Sequence, residues 1–177
     1  MNLLTTALIG LFLLGNTAAA QTPQLPAYTV AMTGYNVVSA QTDSDPNTTA
    51  SGARSNPDII AARSVDLADE LPYGTVISIK PSAATSTNCG ISTVEDQIGY
   101  RVVADSMHSR KRNQIDVMFD TDETVKIGGK QTNPAIAMGV CSGVEVQVVG
   151  KIEISHMPRN QAELKKVVDQ QLLTIKK

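Results

Sequence analysis

Short β-forming runs, each closed by Gly, Pro, Asn, Asp or Ser, constrain this chain more than any other feature. They are Tyr28 to Val38, Thr75 to Lys80, Tyr100 to Ala104, the segment around Asp116, and Val144 to Ile154, the strongest of them. Runs of this length bury one face each and must close against one another, so many short strands with little helix between them predict an all-β barrel. The alternation is clearest around Asp116, where Ile115, Val117 and Phe119 fall at every second position and leave Asp116 and Met118 on the opposite face.

Between the runs the sequence reads as connections. Gln41 to Asn56, QTDSDPNTTASGARSN, is a long polar loop of the kind on which sites are built. From Pro57 the chain reads as a short strand or turn, a helical turn around Asp66 to Leu71 and a Pro-x-Gly turn, Pro72 to Gly74; Pro81 to Thr87 is a further loop. Asp122 to Gly128 suggests a short helix ended by Gly128 and Gly129. The tail differs from the rest: Asn160 to Glu163 resembles a capping box, and Leu164, Val167, Val168, Leu172 and Ile175 repeat at helical spacing with Lys on the other face. An amphipathic C-terminal helix is expected there, packed on the domain or loosely attached.

The first twenty residues carry an apolar run, Ala7 to Leu14, followed by small residues ending Ala18, Ala19 and Ala20, the form of a cleavable secretory signal. This divides the chain into a signal peptide over 1–20, one barrel domain over 21–156 and a helical tail over 157–177. The apolar stretch is too short for a comfortable transmembrane span, so the product reads as secreted or periplasmic with no stable membrane insertion. A formal net charge of -2 gives no reason to expect nucleic-acid binding. In an exported chain Cys89 and Cys141 imply a disulfide. Two free thiols are the alternative.

Several chemistries find no support. His108 and His156 have no ligand spacing with the cysteines, so neither a metal nor a cofactor is expected. Ser106 and His108 stand near an Asp, yet no nucleophile elbow surrounds the serine. Trp is absent and aromatic residues make up only 3% of the chain, which argues against a flat aromatic sugar platform. What remains is acid chemistry. Asp105 ends one β-run and Asp116 sits in the next, joined by a basic loop, so the two acids could open onto one cleft as a hairpin pair.

The order of motifs adds to this. TASG at Thr49 to Gly52, VD at Val65 and Asp66 before LPYGT at Leu71 to Thr75, VAD at Val103 to Asp105 and QIDVMF at Gln114 to Phe119 together resemble the 3D domain, named for three aspartates. That domain is found in peptidoglycan lytic transglycosylases of the MltA type and in secreted cell-wall enzymes, and the resemblance runs from about Tyr28 to Ile154. The same pieces are also similar to the barrel of rare lipoprotein A, another cell-wall glycan enzyme.

The resemblance implies a mainly β fold: a six-stranded double-psi β-barrel with short helices and the C-terminal amphipathic helix. It implies a lytic transglycosylase that cleaves the β-1,4 bond between N-acetylmuramic acid and N-acetylglucosamine with formation of a 1,6-anhydro ring. Its three aspartates fall on Asp66, Asp105 and Asp116, with Asp69 a rival for the first and Asp116 in the place of the catalytic acid. Thr49, Ser51 and Gly52 would bind substrate. The partners implied are peptidoglycan glycan strands, and the C-terminal helix is a candidate surface for a protein partner.

One departure matters: Ser106, Met107 and His108 stand where the family carries glycines after its second aspartate. A barrel that binds cell-wall glycan or a protein partner without cutting is therefore the competing expectation. The basic run Arg110, Lys111 and Arg112 is either a solvated loop or a contact for the acidic stem peptides of the wall.

Overall fold

The computed structural model describes residues 24–38, 40, 42 and 45–175; the signal-type segment lies outside the described residues. The strands are β1 (Ala27–Asn36), β2 (Ile60–Arg63), β3 (Thr75–Lys80), β4 (Tyr100–Ser106), β5 (Gln114–Phe119), β6 (Val125–Ile127), β7 (Lys130–Thr132) and β8 (Cys141–Lys151). The α-helices are α1 (Ile91–Ile98), α2 (Pro134–Met138) and α3 (Gln161–Ile175).

Six strands close into a barrel in the order β1-β5-β2-β4-β3-β8. Its two parallel pairs are β1 with β5 and β2 with β4. Consecutive strands therefore leave gaps that other strands fill: β5 lies between β1 and β2, and β2 lies between β4 and β5. Each filled gap is a psi motif, and the two interlock, so the fold is a double-psi β-barrel. Asp105 and Asp116 accordingly do not sit on a hairpin. β2 runs between their strands.

The barrel wall carries two apolar layers. One draws on every barrel strand, with Val30, Met32, Ala61, Ile77, Val103, Ile115, Val117, Val144 and Val146, and is closed by Ile91, Val94 and Ile98 of α1 and Met138 of α2. The other takes Ile60, Ala62, Val76, Val102, Ala104, Met118 and Val149 together with Leu164 and Val168 of α3. A six-stranded barrel has room inside only for side chains. A 15-residue helix can lie only outside it, so the layer under α3 is the outer face.

The C-terminal helix is packed on the domain, as one of the two expectations had it. Asn160 caps it by accepting from the Glu163 N–H at 3.0 Å, and the Glu163 carboxylate accepts from the Arg159 N–H at 2.9 Å. Two side-chain amides clip it to the sheet. Gln161 accepts from the Tyr100 N–H at 3.1 Å and donates to the Tyr100 carbonyl at 2.7 Å, and Gln171 does the same to Lys151 at 2.9 and 2.7 Å. Gly99 and Gly150 leave room for these amides, since a Cβ at either would come within 2.5 Å of them.

Other expectations need correction. Asp122 to Gly128 is not helical: β6 and β7 form a hairpin over it, turned by Gly128 and Gly129 at φ 54° and 87°. Both turn residues at positive φ mark the tight hairpin turn that matches strand twist, so the Gly pair is a turn rather than a helix stop. The final long strand starts earlier than expected, at Cys141, and ends at Lys151. Helices α1 and α2 were not anticipated. Cys89 and Cys141 are joined in a disulfide with Cα atoms 4.9 Å apart, tying the segment before α1 to the start of β8. Closing that loop is worth about 4 kcal/mol in the chain-entropy description. Among the described residues no helix is long and apolar enough to cross a membrane.

Candidate active site

The site is built across four strands. On the outer face Thr33 of β1 lies opposite Asp116 of β5, Asp116 lies opposite Ala62 of β2, and Ala62 lies opposite Asp105 of β4. Ala62 is the small residue between two acids. Asp105 reaches this row through a slip in register: Ala61 pairs with Val103, whereas Ala62 pairs with Asp105, so Ala104 and Asp105 together oppose one residue. A bulge of this kind re-aims a side chain. Without it Asp105 would share the inner face with Val103.

The two carboxyls are held differently. Asp105 Oδ2 accepts from the Tyr35 hydroxyl at 2.9 Å, and Oδ1 accepts from the Ala50 and Ser106 backbone N–H groups, each at 2.9 Å. Both its oxygens are committed to fixing its position. The Tyr35 phenol is pushed far above its ordinary value, first by burial and then by the charge of Asp105, so it stays protonated and keeps donating.

Asp116 is looser. Its Oδ1 accepts from the Thr33 hydroxyl at 2.9 Å, and Thr33 is itself oriented by the Gln114 amide at 2.8 Å. The other oxygen accepts no hydrogen bond among the described residues. Burial pushes the Asp116 carboxyl up to about 6; Thr33 and the cation of Lys111 oppose the rise, and the negative charge of Asp105 adds to it. An acid with this proton affinity exchanges its proton near neutral pH, which a general acid–base group must do.

Asp105 and Asp116 open onto a pocket of about 530 Å³, together with Tyr35, Ala62, Ser106, Met107, His108 and Lys111. The long polar loop after β1 supplies the facing surface with Ala40, Thr42, Pro46, Thr48, Ala50 and Ser55. The loop is shaped by its own bonds, including the Ser55 hydroxyl to the Pro46 carbonyl at 2.7 Å and a bridge between Thr48 and Arg54.

The remaining candidate residues do not line the pocket. The Thr49 hydroxyl donates to the Ala53 carbonyl at 3.1 Å and lies 3.1 Å from the Ser51 hydroxyl, while Gly52 sits in the same turn at φ 84°. Their work is to fold the turn so that the Ala50 N–H meets Asp105 and the Ser51 N–H meets the Ala104 carbonyl at 3.1 Å. Asp66 is exposed on a 3-10 turn after β2 and accepts from the Asn113 N–H at 2.9 Å, where the β4–β5 loop enters β5. The Ser64 hydroxyl first, and then this N–H, hold its carboxyl below the usual carboxylate range. Asp69 is exposed.

The LPYGT segment is braced by Arg63, which donates to the Leu71 carbonyl at 2.9 Å and stacks 4.9 Å from the centre of the Tyr73 ring. At Gly74, φ is 89°, and a Cβ would fall 2.2 Å from the Ile152 carbonyl oxygen. That motif serves the barrel.

Sequence reasoning passed over Thr33, Gln114 and Ala62, and named Tyr35 only as one of the tyrosines. Thr33 and Ala62 are ordinary strand residues whose value depends on which strands lie side by side. Gln114 stands two residues before Asp116, and its amide was the one signal available. Among the described residues no cluster of His, Cys, Asp and Glu is arranged to hold a metal ion. No protein-family model matches the chain, and no curated protein matches it significantly.

Proposed function

We propose that this protein is an exported peptidoglycan lytic transglycosylase-like enzyme, with Asp116 as its acid and then its base. The observation that carries this reading is the asymmetry of the two carboxyls in one open pocket. Asp116 is half-buried with one oxygen unengaged and its proton affinity raised, whereas Asp105 is fully engaged. The motif order adds its support.

In the first step protonated Asp116 would give its proton to the glycosidic oxygen as the bond from C1 of the muramic residue to that oxygen breaks. In the second the Asp116 carboxylate would take the proton from the C6 hydroxyl as O6 bonds to C1. The acid is regenerated and no water is consumed. A hydrolase that activates water needs a second carboxylate available as base. Asp105, with both oxygens already accepting, suits an orienting and electrostatic role instead, and Asp66 suits the role of tethering the loop between β4 and β5.

A second reading has one observation in its favour. Ser106, Met107 and His108 line the pocket where glycines would have left its floor open, which suits a barrel that holds a glycan without cutting it. Incubating residues 21–177 with peptidoglycan sacculi and analysing the soluble products by mass spectrometry separates the two. The enzyme reading expects 1,6-anhydro muropeptides, lost in Asp116→Asn. Sacculi that are bound but release nothing would leave the binding module, and reducing-end products would mean a hydrolase.

A further inference from the structure

The pocket is charged on two sides. Asp105 and Asp116 come from the barrel wall, while His108 and Lys111 come from the β4–β5 loop. That loop is tightly wound: the Lys111 N–H donates to the His108 carbonyl at 2.9 Å, and the Arg110 N–H donates to His108 Nδ1 at 3.2 Å. With Nδ1 accepting, Nε2 is the ring nitrogen left to donate.

The three consecutive cations of the loop have separate fates. The Arg112 guanidinium donates to the Ser109 and Lys111 carbonyls at 2.5 and 2.8 Å, inside the loop. Arg110 does not line the pocket. Lys111 does, and among the described residues its ammonium has neither an ion pair nor a hydrogen bond.

Such a cation is costly to a general acid. The charged and titratable groups that act on Asp116 are Asp105 from β4, Tyr35 from β1 and Lys111 from the loop, and of these Lys111 favours the ionised form. An acid that must hold a proton gains nothing from a neighbouring ammonium unless the ligand brings an anion to it.

We infer that Lys111, with His108 beside it, is an anion-recognising arm of this pocket, and that the glycan it takes carries a carboxylate close to the bond to be cut. This inference rests on the glycan-cleaving reading of the site. A carboxylate seated on Lys111 would neutralise the ammonium and return proton affinity to Asp116, so that the correct substrate completes the acid it needs. A neutral glycan of the same backbone would leave the ammonium unpaired.

The test uses the uncleaving Asp116→Asn protein and peptide-free glycan strands of alternating N-acetylglucosamine and N-acetylmuramic acid. One batch keeps its lactyl carboxylates, and the other has them converted to methylamides. Isothermal titration at low salt should show the carboxylated strand bound about fivefold more tightly, the scale of one partly exposed charge pair. Added salt should shrink that preference. It should vanish in Asp116→Asn/Lys111→Gln and persist in Asp116→Asn/Arg110→Gln.

Equal binding of the two strands by Asp116→Asn, or a preference that survives Lys111→Gln, would overturn the arm while leaving glycan recognition in place. Binding of neither strand, together with no anhydro product from the unsubstituted protein, would overturn the glycan reading and this inference with it.

Discussion

The outer face of β2 and β4 has two ends that share strands and differ in everything else. At one end Ile60, Val102 and Val76 lie side by side, and Leu164 and Val168 of α3 belong to the same buried layer. Two residues along β2, the row becomes Asp105, Ala62, Asp116 and Thr33 and opens to solvent. The first row is sealed by a helix clipped down at Gln161 and Gln171, and the second is shaped by the polar loop after β1. The change falls at the register slip between Ala61 and Ala62. One wall thus serves as core at one end and carries the candidate site at the other, and a single bulge separates the two.

The largest effect should come from the open end. Asp116→Asn is expected to lower release of anhydro products by about 10² to 10⁴-fold, the usual scale for a general acid, while circular dichroism stays unchanged. Full activity would remove Asp116 from the mechanism.

The same variant has a stability signature. The folded Asp116 carboxyl sits at about 6 against an ordinary 3.8, so the folded protein binds this proton more tightly than the unfolded chain does. The associated stability is present below about pH 4 and is lost as pH rises through 6. Asp116→Asn should flatten that part of a curve of unfolding free energy against pH. A curve unchanged by the substitution would mean that the carboxyl is not held in the environment described.

At the sealed end the expected loss is of fold rather than chemistry. Leu164 is fully buried, and Leu164→Ala should cost about 2–5 kcal/mol in denaturant unfolding. Under conditions where the variant remains folded, the pH dependence of its activity should match that of the unsubstituted protein. A shifted profile would show that the two ends are coupled and that the comparison draws too sharp a line.

Ala62→Leu tests the boundary itself. Ala62 is buried between the acids, and a larger side chain there extends the apolar row toward the pocket. Overpacking of about 1–3 kcal/mol is expected, with a loss of activity out of proportion to it. The Asp116 limb of the pH profile should move upward because the carboxyl loses more water. Near-normal activity would mean that substrate does not approach across Ala62.

How far each end could be read from sequence follows from the same contrast. Alternation located β5 because Ile115, Val117 and Phe119 share one face while Asp116 interrupts the other, β3 stood out as a β-branched run between turns, and helical spacing located α3 because Leu164, Val168 and Leu172 recur on one side. Ile60 to Arg63 gave no such pattern, since all four residues of β2 are buried and period-2 alternation disappears. Reading this segment only as a short strand or turn, with no place in the sheet, hid the row in which β2 is the middle member, so Asp105 and Asp116 read as a hairpin. The bulge at Ala104 and Asp105 has no local signature either: it arises only from pairing with Ala61 and Ala62. Gly128 and Gly129 fit a helix stop as well as a tight turn, and the pairing of Val125 with Thr132 decides between them.

The smallest expected effect separates a solvated loop from a working one. Lys111→Gln removes the cation that favours ionised Asp116 and leaves Asp105 and burial, which oppose ionisation, in place. The Asp116 proton is therefore held to a higher pH. A general acid is active while protonated, so kcat/KM should fall as pH rises through about 6 in the unsubstituted protein, and this limb should move upward in the variant. The displacement should be less than about one pH unit, because an exposed charge acting partly through water is worth less than the ~1.4 kcal/mol that a full unit represents. Raising the salt concentration should displace the unsubstituted profile in the same direction and bring the two together. Arg110→Gln, on the same loop but off the pocket, should leave the limb where it is; a shift in that variant equal to the one at Lys111 would mean that net loop charge, and not this side chain, sets the proton affinity of Asp116.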